Sequence, residues 1–472
     1  MQLPESLGPI HIIGIGGIGM SAIAELLFAT GFAVQGSDQK DSANVQRLRT
    51  RGIRVFIGHG ETNLVGVKFV VISTAVKDSN PELQIARERG LVIIRRAEML
   101  AELMRLYATV SVTGTHGKTT TTSLIAHIFE SAALDPTVIT GGIINSWGSN
   151  ARLGQGRWMI VEADESDGTF VQIPTQIGVV TNIDPEHLDY FGTVENMHIE
   201  YATFMRQIPF YGLLLACTDQ QVVRDMVGRL ALRRDGRRFI SYGLTPDADL
   251  VLQEVAVQGN STFFSADLGA RMRGGARRIE EWEVPIPGAH NALNALAAIA
   301  VAAEAGLPDA QIRDALASFS GVKRRFQKTG TVDGVSVFDD YGHHPIEIRS
   351  VLSAARASAA GRVIAVIEPH RYSRVRDLFQ DFCNCLVDAD DVFVIPLYSA
   401  GEQPIEGISS QSLASGIQAS GHRSVACVTS LAELAGKIKM MAKPGDTVVC
   451  LGAGLSTEWA GDLPRHLEDV SG

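Results

Sequence analysis

The 472 residues are 45% apolar, enough for several cores, and length alone suggests about three domains. A net charge of −10 without a basic stripe argues against nucleic acid as a partner, and no apolar run reaches the roughly 18 residues of a membrane span, which argues against a membrane. The five cysteines, Cys217, Cys383, Cys385, Cys427 and Cys450, are scattered and odd in number, which fits a reducing, cytoplasmic setting better than a disulfide framework.

The chain opens on an apolar strand, His11-Ile12-Ile13, then Gly14-Ile15-Gly16-Gly17-Ile18-Gly19 and a helix to about Thr30. A second strand, Phe32-Ala33-Val34, ends at Ser37-Asp38, and further strands are expected at Phe69-Val70-Val71-Ile72 and Leu91-Val92-Ile93-Ile94. This alternation predicts a parallel sheet with crossover helices, closing near Arg105. The spacing Gly14-x-Gly16-x-x-Gly19 places a pyrophosphate at a helix N-terminus, and it suits a nicotinamide dinucleotide or a UDP-sugar equally.

The second unit begins with Thr109-Val110-Ser111-Val112 and the loop Gly114-Thr115-His116-Gly117-Lys118-Thr119, followed by a helix to about Ala133. Strand, glycine loop and helix in that order make a triphosphate-binding loop. Backbone N–H groups cradle phosphate oxygens, Lys118 neutralises the terminal phosphates and the Thr119 hydroxyl ligates Mg²⁺. The loop is shortened: Val112 stands where the usual pattern has its first glycine. Strands at Trp158–Val161 and Ile177–Val180 end in acids and amides. Glu162-Ala163-Asp164-Glu165-Ser166-Asp167 is placed to hold Mg²⁺, and Asn182-x-Asp184-x-Glu186-His187-x-Asp189 lies on the strand-end rim where open parallel sheets bind ligands. A β-meander from about Asp247 to Glu283 leads to His290-Asn291-x-x-Asn294 at a helix start, an amide pair suited to an adenine edge or to capping.

Lys323-Arg324-Arg325-Phe326 marks the next junction, where a basic cluster suits a transferring phosphate. The third unit has strands at Ser336–Phe338, Val363–Ile367, Val392–Ile395 and Thr447–Leu451, with helices at about 346–358, 375–386 and 413–418. Asp339-Asp340-Tyr341-Gly342-His343-His344-Pro345 ends one strand; adjacent residues face different ways, so substrate positioning is preferred over a metal site. Glu368-Pro369-His370-Arg371-Tyr372-Ser373-Arg374 ends another, and Arg371 and Arg374, one turn apart, suit bidentate capture of a carboxylate. Cys383-x-Cys385 has no partner set for tetrahedral zinc.

In order, GIGGIGMS (14–21), RAEMLAELMR (96–105), GTHGKT (114–119), EADESD (162–167), DYGHHP (340–345) and PHRY (369–372) resemble the motifs of the Mur ligases of peptidoglycan synthesis. The resemblance runs from about His11 into the C-terminal region, and six ordered matches are far more specific than one. It implies an α/β chain of three domains: a Rossmann-like N-terminal domain binding the UDP-sugar (1–106), a P-loop central ATPase domain (107–325) and a Rossmann-like C-terminal domain binding the amino acid (326–472). It sets aside the nicotinamide reading, and the substrates look like UDP-N-acetylmuramate and L-alanine, with ATP and Mg²⁺, in a cytoplasmic monomer or homodimer.

Residue by residue, the resemblance implies that Gly16, Gly17, Ile18, Gly19, Asp38, Ser73 and Arg96 bind the sugar nucleotide. Gly114, Thr115, His116, Gly117, Lys118, Thr119, Thr120, His290, Asn291 and Asn294 bind ATP. Thr119, Glu162 and His187 look like Mg²⁺ ligands, and His370, Arg371 and Arg374 like the amino-acid pocket. Lys118, Arg325, Asp340 and His343 look catalytic, with Asp340 or His343 as base for the amine. Ala22, Glu368 and Leu455 depart from the family pattern. Glu368 stands where many relatives have glutamine, and is expected to weaken anion attraction near the amino-acid carboxylate. The segment Glu195–Glu200 holds no lysine, so the carbamylated lysine of several sister ligases is not expected.

Overall fold

The computed structural model describes residues 8–166 and 168–469, without the side chains of Ile18, Asp189 and Asp469. It separates into two units, Met1–Gly141 with Ser149–Ser241, and Gly142–Gly148 with Tyr242–Gly472.

In the first unit, Ile10–Ile13 is the middle strand of a five-stranded parallel sheet. Val34–Asp38 and then Arg54–Ile57 lie on one side, and Phe69–Ile72 and then Val92–Arg95 on the other. The chain therefore reverses its direction of growth at Ile10–Ile13, and a crevice opens beyond Ile13, where the first glycine loop sits. Three isoleucines and His11, all buried, make this strand, as expected where helices cover both faces.

A second parallel sheet in this unit is centred on Ala108–Thr113, flanked by Ile177–Val180 and Trp158–Glu162. Leu213–Cys217 follows outside the former and Thr137–Ile144 outside the latter. Val112 is in register with Glu162 and Thr113 with Val180. The glycine loop, the acidic run and the segment after Val180 thus leave the sheet at one end. The helix expected after the loop is Lys118–Ser131.

The second unit holds the expected meander as antiparallel Leu250–Gln258, Ser261–Leu268 and Arg277–Val284, then the helix Ala289–Glu304. Its other sheet runs Gln327–Val332, Val335–Asp340, Thr447–Leu451, Val363–Ile367, Asp391–Val394, Val425–Cys427, parallel except for the first strand. Alternation divides Val363–Ile367 between two cores. Val363, Ala365 and Ile367 pack with Phe382 and Leu413, whereas Ile364 and Val366 pack with Leu434 and Leu463. Burial on both faces is why these strands read as unbroken apolar runs.

Some expectations change here. The single helix expected from 375 to 386 is two, Tyr372–Asp377 and Phe379–Asn384, because Leu378 leaves helical geometry (φ −114°, ψ 22°). The break leaves Val375 and Phe382 in the same core. The strand expected over Leu91–Ile94 is shifted by one residue, to Val92–Arg95.

Candidate active site

The first glycine loop is tied to the second strand. Gly14 and Ile15 donate their N–H groups to the Ser37 carbonyl at 2.8 and 3.0 Å, and Gly16 donates to Asp38 Oδ2 at 2.9 Å. Gly17 caps the helix Ile18–Ala29. Gly19 faces Arg96: a Cβ there would lie 2.9 Å from Nη1, the movable end of that side chain. The sequence-selected Gly16, Gly19, Asp38 and Arg96 therefore converge, while Ser73 follows Phe69–Ile72 and its carbonyl accepts from Val76. Glu82, unremarked in sequence, lies buried beneath: its carboxylate accepts from Ser37 Oγ, Asn63 Nδ2 and the Gly60 N–H and lies 3.2 Å from His11 Nε2. Burial opposes its charge, but these hydrogen bonds from His11, Ser37 and Asn63 prevail and lower its pKa to about 2.

The triphosphate-type loop is stitched to the segment after Val180. The N–H of Thr115 donates to Asn182 O (3.1 Å), that of His116 to Asn182 Oδ1 (2.8 Å), and Asn182 Nδ2 donates back to His116 O (2.9 Å). Asp184 N–H donates to Thr115 Oγ1 at 2.8 Å. Asn182 and Asp184 thus brace the loop. Gly114 (φ +130°) approaches so closely that a Cβ would sit 2.1 Å from Thr181 Oγ1, and Gly117 (φ 82°) turns the chain into the helix, whose second and third residues, Thr119 and Thr120, are buried.

Lys118 places its ammonium against Gly114 O (2.7 Å), Thr115 O (3.1 Å) and both carboxylate oxygens of Glu165 (2.8 and 2.7 Å). Burial alone would lower its pKa, but Glu165, Asp164 and Glu162 outweigh that and raise it. Burial raises Glu165 to about 7, with Lys118 pulling against it. Both shifts run upward, so the pair holds its protons more tightly than free side chains do.

Thr119 Oγ1 donates to Glu162 Oε1 at 2.9 Å, and Glu162 Oε2 accepts from Thr140 Oγ1 (2.9 Å) and the Gly141 N–H (2.6 Å). His187, expected beside Glu162, is grouped instead with Glu165 and Glu186, their ligand atoms all within 4.8 Å of one another. An oxygen-dominated set with one imidazole fits a hard divalent cation. Asp167 lies outside the described residues. Glu165 and Glu186 lie in the two runs expected to hold Mg²⁺ and to line the ligand rim, but neither is singled out there; the position of Glu165, three residues past the strand-end Glu162, is the signal that marks it.

In the second unit His290, Asn291 and Asn294 open the helix Ala289–Glu304. Asn291 Nδ2 donates to Pro287 O at 2.8 Å, and Asn294 Nδ2 to Asn291 Oδ1 at 3.3 Å. Burial and then Arg325 lower His290 to about 4, so it is neutral. Asp340 ends its strand with both oxygens held by backbone, Oδ1 by Gly342 N–H (2.7 Å) and Oδ2 by Phe326 N–H (2.8 Å). Burial raises it to about 6 against the opposing pull of Arg325. Arg325 lies 5.5 Å from the Tyr341 ring centroid.

His343, His370 and Tyr398 form a row of rings, His343 tilted against His370 at 5.1 Å and His370 stacked on Tyr398 at 5.4 Å between centroids. His343 Nδ1 lies 3.0 Å from Tyr341 O, an acceptor only, so Nδ1 carries the proton and Nε2 of the neutral ring is free of one. Arg374 Nη1 donates to His370 Nδ1 at 3.0 Å, and burial, His343 and the two arginines depress His370 to about 3. Arg371, at φ +67°, donates through Nε to Glu402 Oε1 at 2.7 Å. Glu402 and Tyr398 carried no local sequence signal. His187 (φ 55°), Arg324 (φ 61°) and Phe326 (φ 49°) share the left-handed backbone of Arg371.

Glu368 corrects an expectation. Its carboxylate faces the start of the helix Leu455–Asp469, accepting N–H groups of Gly454, Leu455 and Ser456 at 3.0, 2.9 and 3.1 Å. That helix terminus offsets its charge, which the expectation of a weakened anion attraction had left uncompensated.

Residues 9–108 match the Mur ligase family, catalytic domain; 112–302 match the Mur ligase middle domain; and 324–454 match the Mur ligase, glutamate ligase domain. The UDP-N-acetylmuramate–L-alanine ligase of Methylobacterium radiotolerans is 54% identical over 467 residues, covering 99% of both chains. That of Methylorubrum extorquens is 54% identical over 472 residues, covering all of both. The crystal structure of UDP-N-acetylmuramate-alanine ligase from Thermotoga maritima has a TM-score of 0.76 and 27% identity, covering 98% of this chain and 99% of that one.

Proposed function

The chain belongs to the Mur ligase family, and on that premise we propose that it joins L-alanine to the lactyl carboxylate of UDP-N-acetylmuramate while ATP is split to ADP and phosphate. The observation that carries this reading is the 54% identity over 99% of both chains to an alanine ligase. Domain boundaries at Leu106 and Arg325, and a cytoplasmic setting, belong to the same proposal. No described helix is long and apolar enough to cross a membrane.

The glycine loop 14–19 and Arg96 receive the diphosphate of the sugar nucleotide, with Asp38 holding the loop. Loop 114–119 takes the triphosphate and His290, Asn291 and Asn294 the adenosine side. Thr119 and Glu162 would hold one Mg²⁺ and His187 a second, and these ions would supply charge neutralisation on the phosphoryl oxygens. The lactyl carboxylate attacks the γ-phosphorus and ADP leaves. Lys118 and Arg325 stabilise the charge spread over the transferring group. The resulting acyl phosphate turns a poor leaving group into a good one.

Alanine must then attack as the neutral amine. His343 Nε2, with its proton on the other nitrogen, accepts the amine proton; the backbone-held Asp340 carboxylate sets the charge beside Arg325. Arg374 takes the alanine carboxylate, supported by Arg371, and a neutral His370 adds no charge of its own. The acyl carbon gains nitrogen and loses phosphate.

The test is phosphate release from ATP and Mg²⁺ with UDP-N-acetylmuramate, with and without L-alanine. Release requiring both is expected. Release only when a tripeptide replaces alanine would move the assignment to a ligase that attaches a whole peptide to the same sugar nucleotide, and no release with either would refute the reaction.

A further inference from the structure

Glu165 stands between the Lys118 ammonium and a cluster of possible cation ligands. On one side the Lys118 ammonium has its three protons directed at Gly114 O, Thr115 O and the Glu165 carboxylate. On the other, Glu186 and His187 complete a cation-sized group, with His187 Nε2 3.7 Å from Glu165 Oε1. Glu162 is engaged separately, by the neutral donors Thr119, Thr140 and Gly141. Both Glu165 oxygens lie within 2.8 Å of the Lys118 nitrogen, so the carboxylate does not hold that geometry and chelate a cation fully as well.

We propose that Glu165 is an exchange latch, holding Lys118 in the nucleotide-free protein and passing to a divalent cation shared with Glu186 and His187 when a nucleotide takes the lysine. The proposal rests on the assignment of loop 114–119 to the nucleotide. A metal-free nucleotide that draws Lys118 away leaves a carboxylate, 2% exposed, without its counter-charge, a costly state. A cation arriving with the nucleotide replaces that charge. Cation and nucleotide therefore tighten one another, and by linkage the coupling is reciprocal. Direct neutralisation of phosphate by the cation would also couple them. The latch adds a distinct signature: weakening Glu165 improves binding of the metal-free nucleotide.

The test is calorimetric titration of the full chain with ADP, in EDTA and in excess Mg²⁺, for the native protein, Glu165→Gln and Glu165→Asp. The latch predicts that Glu165→Gln binds metal-free ADP about tenfold more tightly, since a charge-assisted bond to Lys118 becomes a neutral one, while the gain on adding Mg²⁺ shrinks by at least that factor. Glu165→Asp, with its charge withdrawn by one methylene, falls between; it also serves if the glutamine variant does not fold. Metal-free affinity unchanged or weakened in both variants overturns the latch and leaves the ligase reading intact. No ADP binding to the native protein with Mg²⁺ overturns both.

Discussion

Replacing Gly114 with alanine sets a quantity that the geometry fixes. The added Cβ meets Thr181 Oγ1 at 2.1 Å, then Asn182 O and N at 2.9 and 3.0 Å. Thr181 does not yield freely, because its hydroxyl donates to His116 O at 2.6 Å and lies 3.3 Å from Thr113 O. Rotating it away forfeits about 0.5–1.5 kcal/mol for each bond lost. The Asn182 atoms are backbone and have no rotamer to change. Alanine at φ +130° adds strain of about 1–3 kcal/mol. Together the cost is about 2–6 kcal/mol, focused on a loop held by three residues of the neighbouring segment, Thr181, Asn182 and Asp184. With two units, global unfolding need not be two-state, so the assay is hydrogen exchange across 108–131 and 181–187 alongside ADP titration. Faster exchange in both segments and a marked loss of ADP affinity are expected. Combining Gly114→Ala with Thr181→Ala removes the first obstacle but not the backbone one, and so restores part of the loss. Native exchange and affinity in Gly114→Ala alone would refute this packing of the loop.

Lys118→Ala removes the phosphate-facing ammonium and should lower turnover at least about a hundredfold; steady-state phosphate release checks it, and a near-native rate would refute the loop assignment. Arg374→Ala should raise the alanine KM by tenfold or more with little change in the KM for ATP, the loss of one charge-assisted carboxylate contact. With ATP, Mg²⁺ and the sugar nucleotide saturating, alanine-dependent turnover should fall more steeply below a pH of about 6, where Asp340 protonates, and Asp340→Asn should remove that added steepness, leaving the fall due to His343 and the amine itself. Stability moves in the opposite sense: the folded value of about 6 exceeds the unfolded value of about 3.9, so folding favours the protonated form, and this group adds stability as pH falls from about 6 to about 4. Denaturation of the native protein and Asp340→Asn across that window measures the difference.

Much of the site is legible because its chemistry demands unusual residues in a fixed local order. Gly114 to Thr119, Glu162 at a strand end and Asp340 to Pro345 declare themselves without any long-range information. What escapes is pairing between distant segments. Glu165 meets Lys118 across 47 residues and Glu402 meets Arg371 across 31; the acidic run marks Glu165 but not its partner, and nothing in sequence sets Glu402 apart from a solvated acid. Glu368 shows the same limit from the other side, since its partners lie 86 to 88 residues on. Among the elements, Leu213–Cys217 has no alternation to mark it, being buried throughout, and Leu455–Asp469 carries a proline at 464 that conceals a helix.

The left-handed backbone of His187, Arg324, Phe326 and Arg371 sets a conflict for anyone engineering this chain. By conformational criteria alone, glycine is the better residue at each of these positions, worth about 1 kcal/mol or more wherever the strain is relieved. Yet two of the four positions present the imidazole and guanidinium on which the proposed chemistry depends. A heat-tolerant version selected for unfolding temperature would drift toward relaxing these positions and lose turnover as it gained robustness. Screens should therefore hold His187 and Arg371 fixed and seek their gains elsewhere.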